Sequence, residues 1–209
     1  MINRRFLHEH LEHNLTSILD KRIVILGCGA IGSNLAISLA RRGFKRFVLV
    51  DNDRIDEHNI STQPWTEYEI GKMKTHILAD ILSSIGAFSS IYSKRVTKLG
   101  QIIRLIEFSD LVVDVFDNSA SRQIAQELSK DYPVLHAGMS ADKTAEITWA
   151  ERYTVPPNVE LADPCNYPLS RTLVELTVVA TSEAVLEFLL KGTKVDYLVR
   201  AGNLSIRGS

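Results

Sequence analysis

Cysteine is scarce in this chain, with two among 209 residues. Two thiols can neither complete a four-thiolate zinc site nor staple a disulfide scaffold. An excess of one charge sign is lacking as well: Lys+Arg 24 against Asp+Glu 25 leaves a net −1. Nothing global draws the chain to nucleic acid, so no nucleic-acid partner is expected. Uninterrupted apolar runs are short. The longest apolar helix candidate, Thr172 to Leu190, is broken by Glu175, Glu183 and Glu187, which argues against a membrane span. Met1 to Asp20 carries charges and three histidines where a signal peptide would carry an apolar core. No internal repeat, low-complexity tract or linker stands out. What is present is ordinary globular material, 45% hydrophobic, in a length that suits one domain. The expectation is a cytoplasmic chain folded around one core, with no membrane partner.

The hydrophobic pattern changes period along the chain. Phe6, Leu7, Leu11, Leu15, Ile18 and Leu19 recur at helical spacing, so residues 1–20 read as an N-terminal helix. Its polar face carries His8, His10 and His13, which read as a solvated face before they read as metal ligands. Arg22 to Leu26 is a short β-branched run ending at Gly27, and an Ala/Leu-rich helix follows from Ala30 to Arg42, closed by Gly43. Phe47 to Val50 is a second buried strand, stopped by Asp51-Asn52-Asp53. Gly71 to Ile85 reads as a helix, Ser89 to Val96 as a strand and Leu99 to Phe108 as a short helix. Asp110 to Val115 is another buried strand, and a helix from Ser119 to Ser129 leads into the strand Pro133 to His136. Such alternation means a doubly wound parallel sheet, because each strand must cross back over a face. Beyond Gly138, Thr144 to Thr154 alternates like a half-exposed strand and Val155 to Pro168 is a proline-punctuated loop. Leu173 to Leu190 is a long apolar helix, most simply core, and Asp196 to Val199 a final strand. The fold class is α/β: a Rossmann-like, doubly wound, mostly parallel sheet with antiparallel C-terminal strands and a long C-terminal helix. Residues 1–209 read as one domain, with a nucleotide-binding core over 21–138 and strands, loop and helix over 139–209.

Gly27-Cys28-Gly29-Ala30-Ile31-Gly32 is a G-x-G-x-x-G loop between a strand and a helix. Its first glycine permits the tight turn, its second lets backbone amides approach a phosphate, and its third allows close packing. Asp51 ends the next strand, where a carboxylate can accept from ribose hydroxyls; NAD and adenosine ribose both satisfy that geometry. The acidic loop Asp51 to Ile60 fits a cation-bound triphosphate better than a bare pyrophosphate. Lys72 and Lys74 open a helix where cations oppose the dipole, a conflict that a bound phosphate removes. Asp117 stands near the carboxyl end of its strand, placed either to coordinate Mg²⁺ or to cap the following helix.

These residues carry a resemblance. The glycine loop, Asp51-x-Asp53 with Asn59 and Gln63 downstream, Gly71-x-x-Lys74 and Asp117-Asn118 resemble, in order, the ThiF/MoeB family of ubiquitin-activating-like adenylyltransferases. The resemblance implies ATP- and Mg²⁺-dependent conversion of a C-terminal carboxylate, on a ubiquitin-like or sulfur-carrier-like protein ending in Gly-Gly, into an acyl-adenylate. It makes Asp51 the ribose or ATP ligand, Asn59 an ATP-site residue, Lys74 the phosphate-binding lysine and Asp117 the Mg²⁺-associated aspartate. Asn3-Arg4 looks like the family's N-terminal element, whose arginine reaches the nucleotide of a partner subunit, which implies a homodimer. The family also suggests a dimer interface for the C-terminal helix.

Three departures stand out. Thr62 replaces an arginine common before the family's glutamine, a loss that either weakens catalysis or hands the role to Arg54 or Lys72. Pro164-Cys165-Asn166-Tyr167-Pro168 looks like a zinc C-x-x-C pair that has lost its second cysteine, so no structural zinc is expected. At 209 residues, the separate catalytic-cysteine and ubiquitin-fold domains of the large activating enzymes are not expected. Cys165 is then either a thioester or sulfur-transfer nucleophile or a retained small loop residue. Cys28 is a small filler of the glycine loop, and His136 is assigned no chemistry. Two other classes share these features: a noncatalytic nucleotide-binding pairing subunit and an NAD-dependent oxidoreductase.

Overall fold

The computed structural model describes residues 4–12, 17–155 and 169–209. After α1 (Leu7–Glu12) come β1 (Arg22–Leu26), α2 (Ala30–Arg41), β2 (Arg46–Val50), α3 (Lys74–Ile85) and β3 (Phe88–Tyr92). There follow α4 (Ile103–Ile106), β4 (Leu111–Asp114), α5 (Ser119–Leu128), β5 (Val134–Met139) and β6 (Thr144–Trp149). The chain closes with α6 (Arg171–Lys191), β7 (Tyr197–Arg200) and β8 (Ser205–Gly208). One sheet holds all eight strands in the order β3-β2-β1-β4-β5-β6-β7-β8. The first five pair in parallel and the last three extend the sheet antiparallel.

Strands covered on both faces need apolar residues at successive positions, and β1, β2 and β4 supply them. Ile23, Ile25, Phe47, Leu49, Leu111 and Val113 join one core with residues of α2, α3 and α6. Their neighbours Val24, Leu26, Val48, Val50 and Val112 join the opposite core with α4 and α5. Removing each such side chain from water contributes about 1.5–3 kcal/mol. α6 packs against both α2 and the β5–β7 part of the sheet, which explains an apolar surface that is not confined to one face. Its buried Thr177 and Thr181 hydroxyls each donate at 2.7 Å to the carbonyl four residues earlier, so neither is stranded.

Several boundaries differ from the sequence expectation for local reasons. α3 begins at Lys74 because Gly71 has φ +84 and Met73 is extended. The strand expected over Ser89 to Val96 ends at Tyr92. The helix expected from Leu99 to Phe108 is a 3-10 turn followed by the four-residue α4, and Phe108 has φ 61. β6 stops at Trp149, where the expected strand ran on to Thr154. The expected final strand is followed by another: Leu204 turns the chain at φ 52 and β8 pairs back on β7. Of the N-terminal helix expected over residues 1–20, the described part is a 3-10 turn and α1.

The strand order reverses between β1 and β4, and open α/β sheets form their ligand crevice beyond the carboxyl ends of such strands. Here Gly27 follows β1 and Val115 follows β4, with the Val115 amide donating to Leu26 O at 2.9 Å.

Candidate active site

The glycine loop divides its labour. Gly27 has φ +103, and a Cβ there would sit 2.9 Å from Val115 O. A Cβ on Gly32 would lie 1.9 Å from Gly27 O, so the third glycine is a packing requirement. A Cβ on Gly29 would meet nothing within 4 Å, so the second glycine answers to no neighbour in the fold. Its bareness leaves open backbone at the N-terminus of α2. The first described bond into that helix runs from Ser33 N to Gly29 O at 3.0 Å. The amides of Ala30, Ile31 and Gly32 therefore precede the helical ladder, as orphan donors at the positive end of the dipole.

Asp51 anchors the loop from the neighbouring strand. Its carboxylate accepts from Cys28 N at 2.6 Å and from Asp53 N at 2.7 Å. Burial pushes its pKa up, while Lys74 and the two amides pull against that rise. Burial also raises the Cys28 thiol, with the Asp51 charge adding to it, which keeps the thiol protonated beside the loop.

Lys74 opens α3 and is 6% exposed. Its Nζ donates to Asp53 Oδ2 at 3.1 Å and its amide to Asp53 O at 3.0 Å. The sequence suggests that a bound phosphate removes this lysine's conflict with the helix dipole; in the structure the Asp53 carboxylate offsets it. Asn59 and Gln63 are buried and engaged locally. Asn59 Oδ1 accepts from Asp56 N at 3.0 Å, and Gln63 Oε1 accepts from Trp65 Nε1 at 2.8 Å. Thr62 is buried, its carbonyl accepting from Asn34 Nδ2 at 2.9 Å. Arg54 donates to Gly71 O at 2.7 Å, and Lys72 is exposed. A cleft of ≈ 690 Å³ lined by Glu57, His58, Ile60, Ser61, Glu67 and Ile70 borders the Asn59 turn rather than the glycine loop.

Asp117 lies three residues beyond the end of β4, exposed, in the loop before α5. The N-cap of α5 is Asn118, whose Oδ1 accepts from Ser121 N at 2.9 Å; its Nδ2 donates to Asp117 Oδ1 at 3.3 Å. Arg4 is exposed in the 3-10 turn before α1. Asn3, His13 and Cys165 lie outside the described residues. Among the described residues no group of three or more His, Cys, Asp or Glu is placed to hold a metal ion. No described helix is long and apolar enough to cross a membrane.

The sequence reading passed over one polar cluster. Asp114 and His136 end up opposite each other on β4 and β5, buried, with His136 Nδ1 2.9 Å from Asp114 Oδ2. Tyr153 stacks on His136 with ring centroids 3.8 Å apart, and burial raises its pKa. Arg122 on α5 donates from Nε to Phe116 O at 2.7 Å. The available signal was an ionisable residue inside each of two adjacent, otherwise apolar strands.

Comparison with known proteins decides the family. A profile described as the ThiF family matches residues 3–159. The chain belongs to the ThiF family. Among curated ThiF-type relatives, it is 27% identical over 108 residues to the sulfur carrier protein ThiS adenylyltransferase of Escherichia coli, covering 51% of this chain and 43% of that one. It is 30% identical over 117 residues to a probable molybdopterin-synthase adenylyltransferase of Porphyra purpurea, covering 54% and 30%. The chain thus matches less than half the length of either. Among solved structures, E. coli MccB with ATP superposes with TM-score 0.81 at 18% identity, covering all of this chain and 71% of that one. That likeness establishes a shared fold.

Proposed function

We propose that this ThiF-family chain is an ATP- and Mg²⁺-dependent adenylyltransferase, activating the C-terminal carboxylate of a ubiquitin-like or sulfur-carrier-like protein that ends in Gly-Gly. The observation that carries the reading is the open glycine loop: Gly29 is bare without a structural need, at a helix N-terminus flanked by Asp51 and followed by Lys74 on the next helix. Adenylyltransferase names among the sequence relatives support the same chemistry.

The reaction brings a carboxylate onto an α-phosphate, so the site must hold two anions together. In this reading the amides of Gly29 to Gly32 and the Lys74 ammonium receive the phosphates, and Asp51 accepts from the ribose. Asp53 holds the Lys74 side chain in place until phosphate arrives. Asn59 and Gln63 shape the acidic loop beside the nucleotide, and Asn118 sets the turn that presents Asp117. The Asp117 carboxylate is exposed and its one described hydrogen bond comes from Asn118, which suits a cation held chiefly by phosphate oxygens. Bound there, Mg²⁺ would neutralise phosphate charge and assist pyrophosphate departure. No acid–base residue is needed, because a carboxylate is already a nucleophile.

The exposed Arg4 fits the role of reaching a second subunit's nucleotide in a cytoplasmic homodimer. The shared eight-stranded sheet supports reading residues 1–209 as one adenylation domain. Cys165 stands in the proposal as the candidate for a later thioester or sulfur-transfer step. ATP–pyrophosphate exchange with a Gly-Gly carrier tests the reading. The wild type should exchange and Lys74→Ala and Asp117→Ala should not. Nucleotide binding without exchange would favour a noncatalytic pairing subunit, and preference for NAD over ATP an oxidoreductase.

A further inference from the structure

Phe116 is the residue immediately before Asp117, and side chains hold both polar groups of its backbone. Its amide donates to Asp114 Oδ1 at 3.2 Å, and its carbonyl accepts from Arg122 Nε at 2.7 Å. Behind Asp114 stands His136, 2.9 Å from the other carboxylate oxygen, with both side chains buried. Behind Arg122 stands Tyr153, whose ring covers His136 and whose carbonyl is held by Gln126 Nε2 at 2.8 Å. Gly138 completes the enclosure: a Cβ there would lie 2.9 Å from His136 Nε2. On the far side of Asp117, Asn118 is fixed by capping α5.

We propose that Arg122 and His136 are positioning residues that clamp the Phe116 peptide, Arg122 directly and His136 through Asp114, and so aim the Asp117 carboxylate at the metal–nucleotide complex. The inference rests on the role given to Asp117 in the preceding reading. Its physical basis is that an exposed carboxylate on a loop loses conformational entropy when it takes up a cation, and a loop fixed beforehand loses less. A buried, mutually satisfied Asp–His pair is suited to that task because leaving either member unpaired costs free energy, which keeps the arrangement unique.

The test uses two readouts on the full chain. Hydrogen exchange without ligand reports the clamp itself. Arg122→Met keeps the aliphatic stem without the donor, and His136→Leu removes the partner of Asp114. Both should speed exchange in the peptide spanning residues 114–119 while β1 and β2 stay protected. His136→Asn, which can still donate to Asp114, should restore slow exchange. In ATP–pyrophosphate exchange, Arg122→Met and His136→Leu should raise the half-saturating Mg²⁺ concentration roughly 10–100-fold, the range for residues that orient metal ligands. The apparent KM for ATP at saturating Mg²⁺ should hold. Should His136→Leu fail to fold, Arg122→Met and His136→Asn decide the matter. Unchanged exchange at 114–119, or a lost rate with an unchanged Mg²⁺ requirement, overturns the proposal. A wild type that protects the peptide but performs no pyrophosphate exchange refutes the adenylation reading instead, leaving the clamp as a structural finding.

Discussion

Lys74 Nζ lies 3.1 Å from Asp53 Oδ2, and the two partners differ in exposure: the lysine side chain is 8% exposed and the aspartate 53%. The buried member of the pair depends on its partner more than the exposed member does. Removing the Asp53 carboxylate takes away the ammonium's hydrogen-bonded counter-charge and leaves it the Coulombic pull of Asp51, whereas removing the ammonium leaves a solvated aspartate. Asp53→Asn should therefore lower unfolding free energy by about 1–3 kcal/mol, as measured by urea titration, and saturating ATP should recover part of the loss. Lys74→Ala should cost less stability than Asp53→Asn. Equal losses from both would contradict this account of the pair.

The glycines separate fold from ligand. Gly32→Ala must move Gly27 O out of a 1.9 Å overlap and should lower stability by more than about 3 kcal/mol. Gly29→Ala meets open space and should keep the wild-type melting temperature. Its nucleotide affinity should nevertheless fall roughly tenfold, about 1.4 kcal/mol. Calorimetric binding of ATP to the two variants distinguishes them.

Asp51 should titrate above the ordinary aspartate range, because burial is the largest influence on it and raises its pKa. The folded chain then holds that proton more tightly than the unfolded chain does. Its contribution to stability falls as pH rises from the unfolded to the raised folded pKa, and the ionised form opposes folding above that window. Carboxyl-carbon NMR titration checks the midpoint. Lys74→Met should raise it further, since the Lys74 charge pulls it down. A midpoint at or below the ordinary value would contradict the burial argument.

Asp117 and Asn118 should separate in the same manner. Asn118→Ala removes the cap of α5 and should cost about 1 kcal/mol. Asp117→Ala, at an exposed position, should stay within about 0.5 kcal/mol of wild type while abolishing pyrophosphate exchange. Parallel denaturation and exchange assays read both.

Much of this architecture is legible in the sequence, because strands buried on both faces leave unbroken apolar runs and the glycine loop announces the strand-to-helix turn. Ile23 to Leu26 and Phe47 to Val50 needed no tertiary information. β8 was not legible: Ser205 to Gly208 is half polar and owes its strand to pairing with β7. The glycine loop, Asp51 and Lys74 could be found by spacing and by their places at element ends. The Lys74–Asp53 pair and the Phe116 clamp could not, since both depend on which side chains meet across elements. His136 shows why. Alone in a strand it reads as a buried histidine, and it gains a role once the parallel register sets it opposite Asp114.

On the proposed reading, a protein carboxylate is joined to AMP at this site. The most direct measurement is the intact mass of a Gly-Gly-terminated carrier protein after incubation with the chain, ATP and Mg²⁺. A gain of one adenylyl group, reversed by added pyrophosphate and absent with Lys74→Ala or Asp117→Ala, is the predicted result. An unmodified carrier alongside unconsumed ATP, with every component folded, would contradict it.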